Sequence, residues 1–139
     1  MNVKTTLKTV ALGLLVIASL VPAFAQYNSG FYVSIPFTYT AGGRTFSPGE
    51  YFVRTSLEGI VTIHGDGHDA SVVLISYRAG DSKPGEQVRL VFHRYGDVYY
   101  LSQVWAPSAG GLELPKTKAE QEQLARVGAG SPVNVTARK

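Results

Sequence analysis

The chain has 139 residues and no cysteine, with 11% aromatic and 17% charged residues. That is one domain's length, with ample aromatic mass for a core and too little charge for a disordered chain. The formal charge is +3. Lys4 and Lys8 fall in a segment expected to be removed, and the other 11 basic residues (13 less 2) exceed the 10 acidic ones by one. Arg138 and Lys139 at the chain's end supply more than that surplus, so no basic patch for nucleic acid remains.

Residues 1–25 have the three parts of a secretory signal. Met1–Lys8 holds two lysines and no acid, Val10–Val21 is an almost unbroken apolar run, and Ala23-Phe24-Ala25 fits the small-x-small cleavage rule. The apolar run is shorter than the roughly 20 residues a membrane span needs, so no span is expected after cleavage. Lipidation needs a cysteine at the cleavage site, and there is none. The expected mature chain starts at Gln26 and has 114 residues (139 less 25). Its predicted address is the periplasm or the extracellular medium. Without disulfides, burial and hydrogen bonding must hold it together.

The mature part reads as β almost throughout. Phe31, Val33, Ile35, Phe37 and Tyr39 alternate with Tyr32, Ser34, Pro36, Thr38 and Thr40, the period of a strand with one buried face. Pro36 cannot donate a ladder bond, which predicts an edge or a bulge. After Ala41-Gly42-Gly43, a short extended piece covers Arg44–Ser47. Ser47-Pro48-Gly49-Glu50 fits a type II turn with Gly49 at positive φ. A strand Tyr51–Leu57 follows, then a turn at Glu58-Gly59. Ile60–His64 and Ala70–Tyr77 form an expected hairpin, and Ala79–Gln87 a flexible loop.

The clearest hairpin is Val88–Tyr95 with Val98–Trp105 around Gly96-Asp97. Setting Tyr95 opposite Val98 places Phe92 against Leu101 and His93 against Tyr100. The core face then holds Val88, Leu90, Phe92, Tyr99, Leu101 and Trp105. Thr117-Lys118-Ala119-Glu120 is a capping box, with Glu120 reaching back to the cap. It opens a helix Lys118–Val127 that stops at Gly128. Its thin apolar content places it on the surface or against a rim of the sheet. Residues 128–139 read as a disordered tail. The predicted fold is all-β: an antiparallel β sandwich or small open barrel of about six or seven strands with one short C-terminal helix, forming a single domain over 26–127.

Several of these stretches carry a resemblance: Ile35-Pro36-Phe37, Ser47-Pro48-Gly49-Glu50-Tyr51, Leu90-Val91-Phe92-His93-Arg94-Tyr95-Gly96-Asp97, and Tyr100 through Trp105. The chain resembles a family of short exported bacterial proteins, frequent in acidobacteria and without an assigned activity. Its members share a signal peptide, a PF-x-F strand, a PAG-x-Y turn, an FHRYG hairpin and an SK-x-E helix start. Here glycine comes one place early in the turn, and the helix starts Thr117-Lys118-Ala119-Glu120. The resemblance covers most of residues 31–124. It implies an exported β domain and brings no catalytic residues to carry over.

Candidate chemistry is sparse. His64, Asp66, His68 and Asp69 lie within six positions, and two imidazoles with two carboxylates suit a zinc or copper ion. The same residues are also ordinary turn-formers and polar fillers of a hairpin loop. His93-Arg94-Tyr95 offers a base beside an anion clamp. No cysteine nucleophile exists, and Ser34, Ser47, Ser71, Ser76 and Ser102 lack a G-x-S-x-G context, so no catalytic residue and no enzyme are expected. No cofactor motif is present. Tyr32, Tyr77, Tyr95 and Tyr100, with His93, are expected to face outward as a possible surface for a sugar or peptide. The expected function is a non-enzymatic envelope or extracellular protein that binds an envelope protein or glycan through a sheet face or edge. Its alternatives are a metal-binding domain using the His64–Asp69 loop and a small hydrolase.

Overall fold

The computed structural model describes residues 29–65, 71–107 and 109–138. The expected signal segment and Asp66, His68 and Asp69 lie outside the described residues. Two sheets pack as a sandwich. The first contains β1 (Ser29–Ile35), β4 (Gly49–Thr55), β5 (Ile60–Gly65) and β6 (Ser71–Ile75), in the order β1-β4-β5-β6. The second has seven strands: β2 (Tyr39–Ala41), β3 (Arg44–Phe46), β7 (Tyr77–Gly80), β8 (Arg89–Tyr95), β9 (Val98–Ala106), β10 (Gly110–Glu113) and β11 (Ser131–Thr136). Its main order is β11-β8-β9-β10-β7, with β2 beside β9 and β3 beside β2. Every pairing is antiparallel except the β2–β9 bridge. The all-β sandwich, with one short helix among the described residues, α1 (Lys118–Val127), agrees with the sequence reading. The larger strand number comes from pieces of three or four residues, too short to show an alternating pattern.

Pro36 does more than mark an edge. β1 is an edge strand that ends just before it, and the chain then crosses to the second sheet as β2. The inward residues of both segments meet in one core: Val33, Ile35, Val53, Val61 and Ile63 from the first sheet against Tyr39, Phe46, Leu90, Phe92 and Val104 from the second. Tyr39 stacks on Phe46 and meets Tyr51 and Phe92 edge-on. Such offset and T-shaped contacts suit the ring quadrupoles.

The β8–β9 hairpin has the expected register at its tip, with Phe92 opposite Leu101, His93 opposite Tyr100 and Tyr95 opposite Val98. Gly96 takes φ +60° and Asp97 stays at negative φ, as in a II′ turn. The register then shifts: Val91 faces Gln103, so Ser102 is an extra residue. This bulge corrects the predicted core face. Val104 turns inward and is fully buried, while Trp105 moves to the outer face opposite Arg89. The Arg89 guanidinium lies 4.8 Å from the Trp105 ring centre.

Three other expectations change. Gly49 begins β4 and does not take positive φ, so the type II turn at Ser47-Pro48-Gly49-Glu50 is absent. Instead the Tyr51 hydroxyl donates to the Ser47 carbonyl and ties the bend to the strand. The Ala79–Gln87 loop is shorter than expected, because its first residues belong to β7. The rest is pinned: Glu86 accepts from the Lys83 amide at 3.0 Å and from Arg89 at 2.6 Å. Those two bonds, the Lys83 amide foremost, hold the Glu86 carboxyl below its ordinary pKa. The tail is not disordered over 131–136, where β11 pairs with β8 from Arg89 to Arg94. Val133 and Val135 turn toward the core edge, and the backbone bonds satisfy what the weak composition conceals.

Helix α1 starts and stops where the capping residues placed it. The Thr117 hydroxyl accepts from the Glu120 amide at 3.3 Å, and the Gly128 amide donates to the Leu124 carbonyl at 3.0 Å. Among the described residues, no helix is long and apolar enough to cross a membrane.

Candidate functional site

The five residues proposed as one aromatic surface do not share a face. Tyr32 lies on the outer face of the four-stranded sheet, 60% exposed. Tyr77 is exposed on β7, at the margin of the other sheet. His93, Tyr95 and Tyr100 lie on the outer face of the seven-stranded sheet, where Glu120 of α1 closes over them. Tyr95 is 3% and Tyr100 6% exposed, so neither can meet a large ligand.

That covered cluster is internally satisfied. The Tyr95 hydroxyl donates to Glu120 Oε1 at 3.1 Å, and His93 Nδ1 lies 3.3 Å from the same oxygen. Tyr95 meets both His93 and Tyr100 edge-on. Burial, reinforced by the Glu120 carboxylate, pushes the Tyr95 phenol up to about 12, and the same two causes raise Tyr100. A carboxylate committed to a phenol and an imidazole beneath a helix is a fastening between layers.

The open site lies on the opposite side of the molecule. Tyr32 of β1, Phe52 of β4 and His64 of β5 are cross-strand partners in one row. Alternation directs all three outward. The Phe52 ring leans over Gly30, where a β-carbon would overlap it. This glycine lets the Tyr32 and Phe52 rings approach to 4.8 Å at a tilt of 49°. The Arg54 guanidinium lies 5.6 Å from the Phe52 ring centre. Beside the rings is a shallow cleft of about 180 Å³ lined by Tyr32, Glu50, Tyr51, Phe52, His64 and Gly65. Glu50 Oε1 lies 3.3 Å from Arg138 in an exposed pair, and His64 makes no ion pair among the described residues. The site thus offers an accessible aromatic face, a carboxylate acceptor and an imidazole.

Phe52 and Glu50 were not singled out in the sequence. Their signal was positional: Phe52 is the outward residue between Tyr51 and Val53, but its neighbours across the sheet need the register. Of the proposed metal ligands only His64 is described. The described residues contain no group of three or more His, Asp or Glu arranged to hold a metal.

A larger groove, about 570 Å³, runs between residues 82–88 and the chain's end near Ala137 and Arg138, with Phe31 at its floor. Its Glu86 carboxylate is already engaged by Lys83 and Arg89. Its ring, Phe31, is half-buried, whereas Tyr32 beside the smaller cleft is exposed. No protein-family model, curated protein or solved structure matches the chain.

Proposed function

We propose that the protein is an exported, non-enzymatic envelope β domain that binds a saccharide chain through the outer face of its four-stranded sheet. The resemblance to short exported bacterial proteins and the signal-like residues 1–25 support the address. The observation that carries the binding reading is the Tyr32–Phe52–His64 row beside Glu50. A sugar has an apolar C–H face that stacks on a ring and a rim of hydroxyls that need acceptors and donors. Tyr32 supplies the first; Glu50 and His64 supply the second.

Two measurements test this reading. N-terminal sequencing of the exported form is expected to begin at Gln26, and a mature form retaining Val10–Val21 refutes the export half. Titration with soluble fragments of the producing cell's envelope glycan is expected to show saturable binding, weakened about tenfold or more in Tyr32→Ala, equivalent to about 1.4 kcal/mol. Equal binding by parent and variant removes the site.

A further inference from the structure

We propose that β6 pairs antiparallel with β6 of a second copy of this chain across a two-fold axis, making one continuous sheet twice as wide. This rests on the strand geometry and is independent of the saccharide reading.

The hydrogen-bonding phase of β6 follows from one bond. The Ser76 amide donates to the Gly59 carbonyl at 2.8 Å, which makes 59 and 76 a bonded pair. Antiparallel alternation then makes Val61–Leu74 and Ile63–Val72 the bonded pairs within β5–β6. The backbone groups of Ser71, Val73 and Ile75 therefore point away from β5, toward the free edge. Arg44 gives an independent check: its guanidinium donates to the Ser71 carbonyl at 2.7 Å from that outer side.

The two edges of this sheet are treated differently. On β1, the outward Tyr32 carbonyl accepts from the Arg138 amide at 3.3 Å, so the chain's own end covers that edge. On β6, the outward N–H and C=O groups of Val73 and Ile75 have no partner among the described residues. Their side chains are 67% and 73% exposed. β6 reads Ser-Val-Val-Leu-Ile, with neither a charge nor a proline. Edges that stay single are usually blunted by such residues.

The edge is self-complementary. With Leu74 on the axis, Val73 of one copy faces Ile75 of the other, so the outward N–H and C=O groups of these two residues pair with each other, while the Ser71 carbonyl keeps its bond from Arg44. The same register brings Val73 against Ile75 on the outer face, covering the exposed aliphatic surface from both sides. Charge agrees with a second copy as the occupant. Arg44 stands at the Ser71 end of β6, and exposed Glu58 precedes Gly59 at the Ser76 end. An antiparallel arrangement directs the Arg44 end of each copy toward the Glu58 end of the other.

The experiment is sedimentation of the protein in the form that producing cells accumulate, over a range of concentrations, with amide hydrogen exchange on the same samples. The expected result is a species of twice the chain mass at high concentration. In it Val73 and Ile75 amides exchange slowly, and they become fast on dilution while Val72 and Leu74 stay protected. Val73→Lys, at an exposed position, is expected to sediment as a monomer with unchanged circular dichroism. Should that variant misfold, the exchange pattern of the parent still decides. A monomer at every concentration, a Val73→Lys dimer, growth into larger species, or protection only on adding an extended peptide each overturns the proposal.

Discussion

The Tyr95 hydroxyl donates its proton to Glu120 Oε1 at 3.1 Å, joining the outer face of β8 to helix α1. Glu120 is 3% exposed and is the buried residue of the helix, so this bond and the His93 contact hold α1 to the sheet in place of an apolar stripe. A hydrogen bond to a charged group is worth about 1.5–3 kcal/mol when its partner would otherwise be stranded. Tyr95→Phe is therefore expected to lower unfolding stability by about that amount in a urea titration. A loss below about 0.5 kcal/mol would mean that the carboxylate finds water and the fastening is weak.

The same deletion at Tyr39 is expected to act in the opposite direction. Among the described residues, Tyr39 Oη is buried in the centre of the aromatic cluster with no hydrogen-bond partner. The nearby Tyr51 hydroxyl gives its proton to Ser47. Removing an unsatisfied buried hydroxyl while keeping the ring relieves a desolvation penalty of about 1–3 kcal/mol. Tyr39→Phe should match or exceed the parent's stability, by about 1 kcal/mol at most after repacking. A clear destabilisation would show that Tyr39 Oη has a partner in solution.

Alkaline pH should test both phenols together. Burial raises Tyr39 far above its ordinary pKa, with the Tyr51 hydroxyl adding to it, and burial beside Glu120 raises Tyr95 to about 12. A raised folded-state pKa means that the folded protein holds the proton more tightly than the unfolded chain. The stability is fully present below the unfolded value near 10 and is lost as pH rises from there through the folded value. The melting temperature is expected to fall between about pH 10 and 12, with Tyr95 alone contributing on the order of 2 kcal/mol. Tyr95→Phe should flatten that fall; an identical slope in the variant would exclude Tyr95 as a source.

Much of the fold is written in local pattern, and less of the site. Phe92 against Leu101 and His93 against Tyr100 follow from period two and a two-residue turn. The bulge at Ser102 does not, because one unpaired residue leaves composition unchanged while exchanging Trp105 for Val104 at the core. Glu120 has the spacing of a capping box, and its amide plays that part. Its carboxylate turns instead to Tyr95, a contact set by how α1 docks. Tyr32, Phe52 and His64 lie in separate strands, and only the order β1-β4-β5 brings them into one row.

Adjacent residues on β8 provide the sharpest test of which face is core. Phe92 is fully buried and meets Phe37 and Tyr39 edge-on at 5.0 and 5.3 Å. His93 points the other way and is half-buried beside Glu120. Phe92→Ala removes a ring from the centre of the sandwich and leaves a cavity, at a cost of about 3–5 kcal/mol. That is a large part of the 5–15 kcal/mol typical of a domain, and no disulfide shares the load. His93→Ala loses one contact to a carboxylate that keeps its bond from Tyr95, so about 1 kcal/mol is expected. Paired denaturant melts compare them directly. If His93→Ala proves the more damaging, the imidazole rather than Tyr95 is what fastens α1, and the order of the two contacts at Glu120 must be reversed.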